Sequence, residues 1–172
     1  GTIVDKNGNV LAKTDTATDG SETREYPYGN AFAHVVGYNV KGKSGIESLG
    51  NYDLLTSDEN FLIKLKNEFQ DKKNMGNTVV TTLDADLQEA AYQALGDKKG
   101  AVVAMEPKTG KILAMVSKPD FDPNTVEENW NSLSSDTNSV LLNRATQGQY
   151  APGSTFKVVT LLEFMRENPD YS

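Results

Sequence analysis

Tyr150-Ala151-Pro152-Gly153-Ser154-Thr155-Phe156-Lys157 heads the last apolar segment of the chain, which runs on through Val158, Val159, Leu161, Leu162, Phe164 and Met165 to Pro169. A Pro-Gly turn followed by this run predicts a helix that is apolar almost all round, the pattern of a central buried helix. Ser154 and Lys157 stand three residues apart, so both side chains fall on one helix face. A serine hydroxyl needs a neighbouring base to become a nucleophile at neutral pH. A lysine buried among apolar groups, or set beside another cation, loses pKa and can be that base. The helix N-terminus adds unpaired backbone N–H groups and a positive dipole end, suited to an oxyanion. Together these are the parts of an acyl-transfer site. A bare Ser-x-x-Lys also arises by chance and fits a capped surface helix. The apolar context favours chemistry, because a lysine inside such a segment is costly without a partner or a task.

Upstream, the polar, turn-rich stretch from Lys118 to Gly153 is long for a connection. It is either functional or contains a short helix around residues 140–144. Before it, two apolar runs, residues 101–106 and 111–117, are joined by Pro107-Lys108-Thr109-Gly110 and predict an antiparallel hairpin. Both strands are apolar on both faces, so their sheet should be covered on both sides. Gly96-Asp97-Lys98-Lys99-Gly100 is the best place for a domain boundary, giving domains of residues 1–98 and 99–172.

In the first of these, Gly1 to Ala12 reads strand, Asn7-Gly8 turn, strand. Residues 13–23 read as a loop, Tyr26-Pro27-Tyr28-Gly29 as a turn, residues 31–38 as a short helix or strand, and residues 41–45 as a second loop. A helix is expected from Ser57, with Phe61, Leu62, Leu65 and Phe69 on one face and Ser57 or Asp58 as its cap. Residues 78–83 are β-branched and predict a strand. Asp84 then caps a helix carrying Leu87, Ala90, Ala91, Ala94 and Leu95.

The bulk properties set limits. The chain has 172 residues and a net charge of −7, with a pI of about 4.7, which argues against nucleic acid as a partner and against an anionic membrane surface. It contains no cysteine, so disulfides and thiolate metal sites are excluded. No stretch reaches the length of a membrane span and no signal peptide is present; a native anchor would precede this chain. His34 is the only histidine, which rules out a Ser-His-Asp triad within the chain and suits a packed or hydrogen-bonded role.

These pieces resemble a class B penicillin-binding protein, the monofunctional D,D-transpeptidase of peptidoglycan synthesis, and within that class its Gram-positive, Firmicutes-type members. The likeness rests on four segments in the expected order: Gly1 to Ala12; Arg24-Glu25-Tyr26-Pro27-Tyr28-Gly29 with Gly45-Ile46-Glu47; Gly100 to Asn124; and Gln149 to Lys157. Lys6 stands where arginine is usual. The resemblance implies an α+β fold, with an N-terminal pedestal (dimerisation-type) domain followed by the first strands and catalytic helix of a truncated serine transpeptidase (β-lactamase-like) domain. It implies that Ser154 attacks the D-Ala-D-Ala carbonyl of a peptidoglycan stem peptide, that Lys157 takes its proton, and that the Ser154 backbone N–H forms half the oxyanion hole. β-Lactams would acylate the same serine, with no cofactor and no metal. It further implies a single membrane anchor, domains on the extracytoplasmic side, and a glycan-polymerising membrane partner.

The family's later Ser-x-Asn and Lys-Thr-Gly motifs follow the serine. Lys108-Thr109-Gly110 and Ser135-Asp136-Thr137 precede it, so neither is read as catalytic; the first is read as a hairpin turn, and the second also lacks the asparagine in third place. With those later segments absent, the chain is expected to be an inactive fragment. Three other functions compete: a non-catalytic pedestal that docks cell-wall synthesis partners, a β-lactamase or β-lactam sensor, and a bifunctional penicillin-binding protein. The first hundred residues weigh against the second, and the lack of a glycosyltransferase segment against the third.

Overall fold

The protein's structure, a computed structural model, describes residues 1–60, 65–67 and 75–171. Most of the helix expected from Ser57, including Phe61, Leu62 and Phe69, lies outside the described residues. The fold is α+β, with two separate sheets. The first has strand order β3-β2-β1-β4, from β1 (Ile3–Val4), β2 (Val10–Thr16), β3 (Glu22–Glu25) and β4 (Val79–Val80). The β1–β2 hairpin forms at the Asn-Gly turn as the sequence predicts. Its tip is held by Asp5, whose carboxylate accepts from the backbone N–H groups of Asn7 and Asn9.

The loop expected over residues 13–23 is instead a second hairpin, with Lys13 opposite Glu25 and Thr16 opposite Glu22. The paired stretches, residues 13–16 and 22–25, carry no apolar alternation; only their pairing makes them strands. Only Val79–Val80 of the strand expected over 78–83 is in the ladder, parallel to β1.

Residues 29–36 resolve as helix rather than strand, a 3-10 turn (Gly29–Phe32) running into α1 (Ala33–Val36). Two short helices follow, α2 (Gly45–Leu49) and α3 (Asn51–Leu55). Asp84 caps α4 (Ala85–Leu95), accepting from the Leu87 N–H at 3.1 Å. Its inward face differs from expectation. Leu87, Ala90 and Ala94 point outward, and the buried positions are Ala85 and Gln88.

The second sheet is the expected antiparallel hairpin, β5 (Gly100–Met105) with β6 (Ile112–Lys118). The outer edge of β6 is satisfied by the pedestal side of the chain. The Asp84 N–H donates to Leu113 O, Thr82 Oγ1 donates to Ile112 O, and Gln88 both donates to Met115 O and accepts from Met115 N–H. β6 is therefore well covered, with Ala114 and Val116 buried. The expectation of cover on both faces fails at β5, where Val103 and Met105 remain exposed and no described strand pairs with the outer edge.

After β6 the chain forms a 3-10 turn (Pro123–Thr125) and α5 (Val126–Ser134). The helix thus lies here and not at residues 140–144, which form turns. Asp122 starts it by accepting from the Asn124 N–H, and Val126, Trp130 and Leu133 supply its apolar stripe. Among the described residues no helix is long and apolar enough to cross a membrane.

Candidate active site

Ser154 lies in a 3-10 turn (Gly153–Phe156) that runs directly into α6 (Lys157–Glu167). Gly153 opens the turn at φ +53°, with nothing within 4 Å of the Cβ an alanine would add. The demand for glycine is therefore conformational rather than steric. Pro152 precedes it in the right-handed region, with φ −67°, and its carbonyl accepts from both the N–H and the hydroxyl of Thr155. The Lys157 backbone N–H donates to the carbonyls of Ser154 and Thr155. A turn with three residues per revolution eclipses positions i and i+3, so Ser154 and Lys157 share a face more strictly than on an α-helix.

The site is open. Residues 151–160, Ser154 and Lys157 included, are exposed. The expectation of a buried central helix is overturned, since Val158 and Leu162 are each 62% exposed. The reason is geometric: among the described residues, the elements packed most closely on α6 are its own flanking 3-10 turns, at Gly153–Phe156 and Pro169–Tyr171. The apolar enclosure that would turn Lys157 into a base is not supplied by the described residues.

Lys108-Thr109-Gly110 forms the exposed β5–β6 turn, with Gly110 at φ +75°. Ser135 is the C-cap of α5. His34 is packed and hydrogen-bonded: its Nε2 lies 3.1 Å from Pro119 O, and its ring stands edge-on to Phe121 at 5.2 Å. Burial pushes its pKa down, against the opposing pull of the Pro119 hydrogen bond. Among the described residues no group of three His, Cys, Asp or Glu side chains could hold a metal ion.

Sequence reasoning did not anticipate the bonds that order the segment upstream of Ser154. Asn143 donates from Nδ2 to His34 O, and its carbonyl accepts from the N–H of Gln147 at 2.8 Å. Nothing in their spacing marks these residues out, because their partners are backbone carbonyls.

Comparison with known proteins agrees with this architecture. Residues 1–79 match the penicillin binding protein A dimerisation domain, and residues 100–169 match the penicillin binding protein transpeptidase domain. The peptidoglycan D,D-transpeptidase PbpA of Mycolicibacterium smegmatis is 40% identical, over 89% of this chain and 35% of its own length. The peptidoglycan D,D-transpeptidase MrdA of Escherichia coli K12 is 32% identical, over 80% of this chain and 28% of its own. The chain thus spans between a quarter and about a third of the length of the curated relatives it matches. Among solved structures, the penicillin G acyl-enzyme complex of penicillin-binding protein A from M. tuberculosis superposes with a TM-score of 0.83 at 32% identity, covering 98% of this chain and 42% of that one. PBP2 of Pseudomonas aeruginosa gives 0.79 at 30% identity, over 98% and 40%. The chain belongs to the class B penicillin-binding proteins, of which it carries a dimerisation-type domain and part of the transpeptidase domain.

Proposed function

We propose that this chain is the pedestal and nucleophile-bearing portion of a peptidoglycan D,D-transpeptidase, divided near residues 98 and 99. Ser154 Oγ attacks the carbonyl of the D-Ala-D-Ala bond in a stem peptide while Lys157 takes the hydroxyl proton. The backbone N–H of Ser154 stabilises one side of the oxyanion. The C–N bond breaks, the terminal D-alanine leaves with a proton on its nitrogen, and the acyl group stays on Ser154. An amine from a second stem peptide then attacks the ester, forms the cross-link and frees the serine. β-Lactams enter the same first step, and their acyl-enzyme persists. The native protein works outside the membrane on a single anchor, beside a glycan-polymerising partner.

One observation carries this reading: a glycine-opened 3-10 turn sets Ser154 one revolution before Lys157 at the head of an apolar helix. Intact mass after incubation with benzylpenicillin tests it. The full-length protein carrying this chain should gain one penicilloyl adduct, which Ser154→Ala abolishes; absence of an adduct there overturns the reading. The chain of residues 1–172 alone should stay unmodified, because Lys157 and α6 are uncovered. A docking role without chemistry remains the second reading, favoured by Leu49 and Tyr52, which stand 87% and 76% exposed on the pedestal. Retained partner binding by a protein that does not react with penicillin would select it.

A further inference from the structure

Arg144 is the most unusual charged residue outside the site. It is 5% exposed, yet among the described residues no carboxylate pairs with it within 4 Å. Its guanidinium is spent on backbone carbonyls. Nη2 donates to Asn138 O at 2.5 Å, and Nη1 donates to Ser139 O at 3.2 Å and Leu142 O at 3.4 Å. Its backbone N–H donates to Ser117 Oγ at 2.9 Å. Ser117 is itself 2% exposed on β6, and its hydroxyl donates to Leu142 O at 3.2 Å. A buried cation is costly to desolvate, so carbonyls gathered around it must be held there by it.

The loop it gathers has no regular structure of its own. Ser139 adopts φ +54°, a conformation unfavourable to a side-chain-bearing residue. The bonds to Asn138, Ser139 and Leu142 close this loop around Arg144, and the bonds to Ser117 fasten it to β6. From there the chain passes through exposed residues 149–153 to Ser154. Gln147 N–H bonds back to Asn143 O, and Gly148 approaches so closely that an added Cβ would stand 2.5 Å from both Arg144 O and the Tyr150 ring. The turn that presents the nucleophile thus springs from a fixed point whose keystone is Arg144.

We infer that Arg144 is a positioning residue for Ser154, acting with Ser117 to set where the nucleophile turn begins rather than by touching substrate. This rests on the acylation reading above. Guanidinium geometry, not charge alone, is what the site uses, since three carbonyls in different directions need a planar fork of donors. A lysine could satisfy only part of that set.

The test compares Arg144→Lys, Arg144→Met and Ser117→Ala in the full-length protein, with saturable acylation by a fluorescent penicillin resolved into a binding constant and a first-order acylation rate. Thermal melts give the folded fraction of each variant. Displacing a reacting atom by about 1 Å costs on the order of a hundredfold in rate. The acylation rate per folded molecule should therefore fall roughly tenfold to a hundredfold in both Arg144 variants, with the binding constant nearly unchanged. Methylguanidinium ion should restore part of the rate to Arg144→Met and none to wild type. Ser117→Ala, a milder change, should shift the same rate in the same direction. An acylation rate equal to wild type once corrected for folded fraction, or a loss confined to binding, would overturn the assignment. So would the absence of any methylguanidinium rescue. Failure of the unsubstituted protein to acylate would instead remove the functional reading on which it stands.

Discussion

Asp5 is fully buried and yet kept charged. Burial alone would push its carboxyl up, but hydrogen bonds from the Asn9 side chain and from the backbone N–H groups of Asn9, Ala85 and Asn7 outweigh it and hold the carboxyl below its ordinary 3.8. A carboxyl lowered on folding stabilises the fold above its unfolded pKa, and that contribution is lost as pH falls through the lower folded value. Urea midpoints recorded from about pH 5 to about pH 2.5 should therefore fall with acid, and Asp5→Asn should flatten that slope. The same substitution turns one acceptor into a donor facing backbone N–H groups, so it should cost about 1–3 kcal/mol at neutral pH. A slope unchanged by Asp5→Asn would show that other carboxylates carry the acid sensitivity. His34 acts in a different window: its lowered folded pKa removes stability as pH falls below its ordinary 6.5. The two residues are thus separable by pH.

At the scale of elements, Gln88 decides how α4 meets the second sheet. Its side chain donates to Ala31 O at 2.7 Å and to Met115 O at 2.8 Å, and accepts from Met115 N–H at 2.7 Å. It stands in for a missing strand at the edge of β6. Gln88→Leu, nearly equal in volume, should lower the unfolding free energy by roughly 2–4 kcal/mol by orphaning buried backbone groups; urea unfolding measures it, and a loss below about 1 kcal/mol would mean that water replaces the amide. This position also marks the limit of what the sequence discloses. The hairpins are legible because Asn7-Gly8 and Thr109-Gly110 punctuate them, and α4 because Asp84 caps it. The face of α4 is not, because the inward residue is a polar glutamine whose partners lie 57 and 27 residues away. β3 escapes for a related reason: Glu22 to Glu25 is polar throughout and becomes a strand only against β2. The stripe of Val126, Trp130 and Leu133 was present in the sequence but diluted by acidic and polar neighbours. At the site, spacing identifies Ser154 and Lys157 as partners, while the 3-10 turn depends on the Gly153 backbone. The openness of α6 depends on what packs against it, which its own apolar pattern cannot tell.

Over the whole molecule, two apolar cores cross the expected boundary near residue 98. The first gathers Ile3, Leu11, Phe32 and Leu83, with Ile112 of β6 packed against it. The second unites Ala33 and Tyr38 of the pedestal with Phe121 and Val126 beyond it. Side-chain amides reinforce the joint: Asn124 accepts from Tyr26 N–H at 2.9 Å and donates to Tyr26 O at 3.2 Å, and Asn30 donates to the Asp120 carboxylate. Residues that share a core lose it together, so the pedestal sheet and the α5 region should unfold as one unit. Trp130, the only tryptophan, lies in the second core with its ring 6.1 Å from Tyr38, and its fluorescence reports that core alone. The Val79 and Thr81 amides, which donate to Thr2 O and Val4 O, report the pedestal sheet. In a urea titration followed by Trp130 fluorescence and by the NMR signals of those two amides, the midpoints should coincide. Asn124→Ala should move both to lower urea together, by an amount corresponding to about 1–3 kcal/mol, because it strips both bonds from the buried Tyr26 backbone. A Trp130 transition that precedes the amide transition would show two independently stable units, with the joint only a contact between them. The fixed point from which the nucleophile turn springs would then move relative to the pedestal. Coincidence would instead make the pedestal part of the scaffold that holds Ser154 in place.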